Sequence, residues 1–307
     1  MKKEVKVWAP ATVANLNVGF DSLGCALSNP GEEMILRRTS AKGVVRVKAV
    51  HGAELDLDPK RNIAAVAAQS LLTAMGNPCG IEMEIFKEIM PGSGIGSSAA
   101  SAAAAAVAAN ELLGAGLRPN ELLPFALDGE QLASGARHAD NVAPALLGGL
   151  VFCPPIGAPI SLPIPMDWHL LVMHPQIEVK TADSRSVLPR TVPFDAAVLQ
   201  ARWMGAFISA CHRDDSEQAM LALEDLLVEP HRQDLIPHFK EVKQLALSSG
   251  ALVGGISGSG PSTFWICKDR ENSETVAKAF RSFIVGKDTP FHLHHSQISA
   301  QGAHVVA

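Results

Sequence analysis

Pro91-Gly92-Ser93-Gly94-Ile95-Gly96-Ser97-Ser98-Ala99-Ala100-Ser101 sets three glycines and two adjacent serines directly against an alanine-rich run. Upstream, Ile81, Met83 and Ile85 alternate with Glu82, Glu84 and Phe86, a period of two that predicts a strand entering the loop. Downstream, Ala99 to Leu113 reads as a helix. Strand, glycine loop and helix start leave a row of backbone N–H groups unpaired, and the helix dipole adds partial positive charge at that point. An anionic group of a nucleotide fits such a cradle.

Two better-known glycine loops do not match. A Walker A loop ends in Gly-Lys-Ser/Thr, whereas Gly96 is followed by Ser97 and Ser98. A dinucleotide fingerprint has a third glycine where Ser97 stands, then a second strand ending in an acidic residue; here the chain continues through the alanine run to Gly114. The bland reading is a loop rich in glycine only to turn tightly, and the paired serines speak against it. One serine suffices to cap a helix; a second can reach magnesium or phosphate oxygens.

The 307 residues are enough for two domains, and 47% apolar with 19% charged residues is the composition of a globular protein. The net charge of −5, with no basic run longer than two residues, gives a nucleic acid or an anionic membrane no electrostatic footprint, so the expected partner is a small molecule. The longest apolar candidate, Ala99 to Leu113, is interrupted by Ser101, Asn110 and Glu111, and no membrane span is expected. The start, Met1-Lys2-Lys3-Glu4-Val5, lacks the apolar stretch of a signal peptide, which predicts a cytoplasmic protein. Cys25, Cys79, Cys153, Cys211 and Cys267 are scattered without metal-like spacing and read as reduced structural thiols.

Strands are predicted over Val5–Ala9, Met34–Arg37, Val44–Ala49 and Ile81–Lys87, with a helix over Ile63–Met75, a second helix pattern after the alanine run at Glu121–Ala133, and a strand at Gly148–Cys153. Pro154, Pro155, Gly157, Pro159, Pro163 and Pro165 then crowd one short stretch, and the domain boundary is placed there: residues 1–163 and 164–307. The second part reads as a strand at Trp168–Met173, helices at Ala196–Cys211, Ser216–Leu227 and Leu235–Ser249, and strands at Leu252–Gly255 and Ser262–Cys267. A helix at Glu274–Phe283 and strands at His292–Ile298 and Ala303–Val306 complete it. The layout is α+β, with helices covering one face of a mainly antiparallel sheet.

Three glycine motifs occur in fixed order: Ala9-Pro10-Ala11-Thr12-Val13-Ala14-Asn15-Leu16-Asn17-Val18-Gly19-Phe20-Asp21, the loop at Pro91–Ser101, and Gly254-Gly255-Ile256-Ser257-Gly258-Ser259-Gly260-Pro261-Ser262. This set resembles the GHMP kinase superfamily, named for its galactose, homoserine, mevalonate and phosphomevalonate kinases. Asn17-Val18-Gly19-Phe20-Asp21, His138-Ala139-Asp140-Asn141-Val142-Ala143-Pro144 and Val228-Glu229-Pro230-His231-Arg232 are most similar to its homoserine kinase branch. The likeness runs from about Val5 to Val306, with Ile95 standing where the family usually has leucine.

The resemblance implies an N-terminal domain like ribosomal protein S5 domain 2 that holds ATP, a ferredoxin-like C-terminal domain, and a homodimer. It implies transfer of the ATP γ-phosphoryl group to the side-chain hydroxyl of L-homoserine, on the route to threonine. The phosphates would lie along Pro91–Ser101, with Asn62 near the adenine, although Asn62 reads equally well as a helix cap. Mg2+ would be held by Ser98 and Glu130; a glutamate on a helix is otherwise most often solvated. An amino-acid substrate needs a guanidinium fork for its carboxylate and acceptors for its ammonium. Arg185 and Arg232 match the first, and Asn17 and Asp21 the second, while arginines taken at random are more often surface ion pairs. His138, Asp140 and Asn141 are implied to face the reacting hydroxyl. Asp140 is the candidate base; whether a base acts at all stays open. The third motif reads as backbone support behind the loop, and His292, His294 and His295 as solvated imidazoles lacking a further metal ligand.

Overall fold

The alternation at residues 81–86 forms a strand in the computed structural model, which describes residues 2–135, 137–164 and 168–306. In chain order the elements are β1 (Glu4–Ala14), β2 (Leu23–Thr39), β3 (Val45–His51), α1 (Ile63–Ala74), β4 (Gly80–Phe86), α2 (Ser97–Leu113), α3 (Pro119–Ser134), α4 (Ala139–Leu147), β5 (Leu150–Phe152) and β6 (Ile160–Leu162). There follow β7 (His169–Pro175), α5 (Thr181–Ser186), α6 (Phe194–His212), α7 (Ser216–Leu221), α8 (Glu229–Arg232), α9 (Phe239–Ser248), β8 (Val253–Ile256), β9 (Thr263–Cys267), α10 (Arg270–Ile284), β10 (Phe291–Gln297) and β11 (His304–Val306). Among the described residues no helix is long and apolar enough to cross a membrane.

Two sheets organise these elements. The first runs β11-β1-β2-β4-β3, with β5 continuing along β2 and β6 pairing β5; its neighbours are antiparallel except β3 and β4. The second is antiparallel in the order β10-β7-β9-β8. Helix α2 lies against β1 and β2 and between α1, α3 and α4, buried on nearly every side. Alanine explains this: a methyl side chain lets neighbours approach closely all round, so an apolar run that could pass for a membrane span is the central core helix. Period two divides the second sheet. Leu170, Val172, Phe264 and Ile266 join the main core together with Phe207 of α6, whereas Leu171, Met173, Trp265 and Cys267 pack with Val276, Ala277 and Phe280 of α10. The chain's last strand leaves the second sheet's neighbourhood and pairs with β1, so the first sheet is completed by residues from both ends of the chain.

Several elements differ from their sequence reading for identifiable reasons. The strand expected at Met34–Arg37 is part of the second half of a 17-residue strand, β2, that first passes through Ser28-Asn29-Pro30-Gly31. Those turn-forming residues are carried by an irregularity in the β1–β2 register between Pro10 and Thr12. The helix expected over Ser216–Leu227 stops at Leu221 because the Asp225 carboxylate accepts the backbone N–H groups of Leu227, Val228 and Glu229 at 2.9, 2.8 and 2.9 Å, starting α8 instead. Helices α4 and α5 have no counterpart in that reading. Pro165, part of the proline-rich stretch, lies outside the described residues.

His292 on β10 pairs directly with His174 on β7, and His294 lies two residues further along the same side. Burial, then the neighbouring His294 and His292, push the His174 imidazole down to about 4, and burial followed by His292 holds His294 below the ordinary histidine value. Among the described residues no three His, Cys, Asp or Glu side chains are grouped to hold a metal. A folded-state pKa below the unfolded one makes a contribution that is present above about pH 6.5 and is lost as pH falls toward the folded value. Thermal melts of the wild type and His174→Gln between about pH 7 and about pH 5 should therefore differ in slope, the wild type losing a few degrees more. Parallel slopes would remove this account.

Candidate active site

The glycine loop is shaped from both sides. Gly94 and Gly96 have φ of 81° and 69°. A Cβ on Gly94 would stand 2.4 Å from the Gly260 carbonyl oxygen, and one on Gly96 would stand 1.9 Å from Thr12 Oγ1. Both positions thus require glycine for conformation and for space. Behind the loop, Ser257 Oγ donates to Gly94 O at 2.8 Å, Ser262 N to Ser93 O at 3.2 Å and Gly258 N to Ala14 O at 3.2 Å. The third motif is therefore a backbone brace that joins the loop to the end of β1.

A cavity of about 450 Å³ opens in front of the loop. Its wall includes Pro91, Gly92, Ser93, Gly94, Gly96, Ser97, Ser98, Ser101 and Asn62, together with Glu130, Asp21, His138, Asp140, Asn141, Arg185 and Arg232. Ile95, Ala99 and Ala100 turn into the core, so only their backbones belong to the loop. Asn62 does serve as the α1 cap, its Oδ1 accepting Ala65 N at 3.2 Å, while it also lines the cavity.

Asn17 needs correction. It does not line the cavity: its amide donates to Leu223 O at 2.9 Å and Gly254 O at 3.1 Å, tying the first motif to β8. Asn15, Leu16 and Asn17 all have positive φ, and this left-handed turn swings Phe20 and Asp21 to the cavity. Sequence reasoning missed Asn15, whose Nδ2 donates to Gly258 O at 2.9 Å and whose Oδ1 accepts Asp21 N at 3.1 Å. It also missed Phe20 and Lys87, both on the wall.

The two serines have separate tasks. Ser97 Oγ donates to Ile89 O at 2.8 Å, fastening the helix start, while the Ser98 hydroxyl hydrogen-bonds Glu130 on α3. Burial, reinforced by the charge of Asp140, pushes Glu130 up to about 7 against that hydrogen bond. Asp140 is likewise pushed to about 7, by burial first and then by Asp21; Arg185 and the backbone N–H groups of Asp140 and Asn141 oppose the rise. Thr12 Oγ1 donates to Asn141 Oδ1 at 2.6 Å, which commits the amide oxygen. Arg185 Nη2 meets Asp21 Oδ1 at 2.7 Å, and His138 Nδ1 lies 3.9 Å from Asp21 Oδ2. Burial, more than the Arg185 charge, lowers His138, with Asp21 opposing. Arg232 is buried, donates to Ser184 O at 3.1 Å and Gly258 O at 2.9 Å, and is brought down to about 10 by burial and then by Arg185.

An anion cradle joined to a carboxylate and hydroxyl pair, on one cavity with two convergent guanidiniums, is the apparatus of a small-molecule phosphotransferase. The family models for the N-terminal and C-terminal domains of GHMP kinases match residues 62–149 and 205–286, and the chain belongs to that family in its two-domain fold. Within it the chain falls among the homoserine kinases. It is similar to the homoserine kinase of Xanthomonas campestris pv. campestris, 39% identical over 99% of this chain and 95% of that one. The homoserine kinase of Chlorobium phaeobacteroides is 40% identical over 99% and 100%. The crystal structure of homoserine kinase from Cytophaga hutchinsonii superposes with a TM-score of 0.94 at 39% identity, covering 100% of this chain and 98% of that one.

One steric detail yields a test. A Cβ on Gly24 of β2 would lie 1.8 Å from the Asp140 carbonyl oxygen and 3.1 Å from Pro144 Cγ, so Gly24→Ala has to displace the first turn of α4. We expect a stability loss of about 1–3 kcal/mol from overpacking, together with a kcat/KM at least about tenfold lower because Asp140 and Asn141 move with that turn. Thermal melts and ADP-release rates measure both; an unperturbed rate would mean that the position of this turn is unimportant.

Proposed function

We propose that this cavity binds ATP on the loop side and L-homoserine on the arginine side, and that the chain carries out ATP-dependent phosphorylation of the homoserine side-chain hydroxyl. The observation that carries the reading is that the Ser98 and Glu130 pair and the Arg185, Arg232 and Asp21 group open on one cavity. Phosphoryl transfer depends on alignment and charge stabilisation more than on covalent chemistry, and a shared cavity supplies the alignment.

The triphosphate is assigned to the backbone N–H groups at the start of α2. Mg2+ is assigned to Ser98 and Glu130. A single carboxylate with a neighbouring hydroxyl suits this ion, which keeps several waters and takes the rest of its shell from substrate phosphates. When bound it supplies positive charge to the phosphate oxygens. The chain's own residues do the remainder. The carboxylate of homoserine is assigned to Arg185 and Arg232, and its ammonium to Asp21. Asn141, with its oxygen held by Thr12, turns its NH2 toward an acceptor oxygen of the substrate, with His138 beside it. Asp140, raised to about 7, is the group with the affinity to take the hydroxyl proton as the new O–P bond forms and the bond from the γ-phosphorus to the bridging oxygen breaks, releasing ADP.

The four-stranded antiparallel sheet with α9 and α10 supports a ferredoxin-like second domain. The first sheet with α1 to α4 supports an S5 domain 2-like first domain, divided near residues 163 and 164 with β11 returning across the boundary. The net charge of −5 without a basic run supports a small solute as the partner. A coupled ADP-release assay with L-homoserine, L-threonine, mevalonate and galactose tests the substrate. Release is expected with homoserine well above the rest; equal rates on galactose and homoserine would overturn the assignment.

A further inference from the structure

Phe20 is half-buried in the turn between β1 and β2, on a wall of the cavity where sequence reasoning places no function. Its ring lies 5.5 Å from the Arg185 guanidinium carbon and 5.1 Å from that of Arg232. Those arginines come from different elements, α5 and the end of α8, and both face this ring, while Arg232 Nε also donates to the Ser184 carbonyl next to Arg185. Their like charges repel. Asp21 pairs with Arg185, but among the described residues no carboxylate forms an ion pair with Arg232. The Arg185 Nε is buried without a hydrogen-bond partner among the described residues, so the pair retains unspent donors. An aromatic face attracts cations through its quadrupole, and does so more strongly where water is excluded. Aliphatic packing of the same size would fill the space without that attraction.

We infer that Phe20 is a positioning residue that sets substrate specificity: its ring holds Arg185 and Arg232 at a common point, so that together they grip the carboxylate of an amino-acid substrate. This rests on the homoserine reading above and extends it. Loss of Phe20 should act through the carboxylate and leave ATP binding alone.

The test compares L-homoserine with L-homoserine amide, which keeps the hydroxyl and ammonium and replaces the carboxylate by a neutral carboxamide. In the wild type, kcat/KM should favour the acid strongly. In Phe20→Leu the KM for homoserine should rise roughly tenfold or more, with the KM for ATP unchanged and the preference for acid over amide reduced by a similar factor. Phe20→Tyr should restore the preference. If Phe20→Leu slows both substrates equally, the ring only fills space and the inference fails. It fails equally if the acid preference survives in Phe20→Leu. Thermal melts of both variants confirm that folded protein is compared; should Phe20→Leu not fold, loss of acid preference in a folded Phe20→Met variant is the required result, and its retention overturns the proposal. A wild type inactive on homoserine would instead remove the substrate reading itself, an outcome distinct from these.

Discussion

Glu130→Gln is expected to lower kcat/KM for ATP-dependent transfer by about a hundredfold to a thousandfold while leaving the melting temperature unchanged or higher. The two effects have one origin. Glu130 is buried and its carboxyl is pushed up to about 7, so the fold does not draw stability from its charge. A group kept in that condition beside the phosphate cradle, hydrogen-bonded to Ser98 and facing a cavity, fits the handling of a cation that the substrate brings with it. Glutamine keeps the volume and the ability to accept from Ser98 but is a poorer magnesium ligand. The Mg2+ concentration giving half-maximal ADP release should therefore rise in the variant. A rate within about threefold of wild type would refute the assignment of Mg2+ to this residue. A parallel fall in stability, with unchanged Mg2+ dependence, would make Glu130 a structural carboxylate.

How far such a site can be read from sequence depends on how local its causes are. The loop at Pro91–Ser101 is legible because turn glycines, helix start and entering strand are neighbours in the chain. The order of the three motifs adds the information that they belong to one site, and the structure gives the reason: Ser257 and Ser262 bond directly to the loop. Asn17 shows the limit. An amide at the surface of a pocket and an amide spent on the carbonyls of Leu223 and Gly254 look identical in sequence, since the deciding partners lie 206 and 237 residues away. Phe20 escapes sequence reading for the same reason, because its significance comes from arginines that approach from α5 and α8. The early end of α7 is nearer to legible. Asp225 stands two to four residues before the N–H groups it captures, a local competition with the helix that an aspartate in that setting signals.

Lys87 is the least legible of all, and its replacement should have the largest effect on stability. It stands just past the end of β4 and belongs to none of the three motifs, yet its side chain is 1% exposed. Its Nζ donates to Glu32 of β2, to Ser97 O at 3.0 Å and to Ser101 Oγ at 3.0 Å, while Ser101 Oγ donates to Glu32 Oε1 at 2.7 Å. This closed network fastens the first turn of α2 to the first sheet, and that turn carries the N–H groups of the cradle. Lys87→Met leaves a buried carboxylate without its cation and should cost about 3–5 kcal/mol; Glu32→Leu, leaving the ammonium unpaired, should cost as much. The double variant, Lys87→Met with Glu32→Leu, removes both charges together and should recover most of the loss, because a desolvated ion pair is close to neutral against apolar side chains of similar size. Urea denaturation of the four proteins measures this cycle. ATP affinity separates stability from function: the double variant should still show a raised KM for ATP, since Ser97 O and Ser101 Oγ have lost their donor and the helix start is no longer held against β4. A double variant that regains both stability and the wild-type KM would mean that the pair serves only the fold. One that regains neither would mean that the charges are essential for packing at this site, against the expectation that the network exists to fix the cradle.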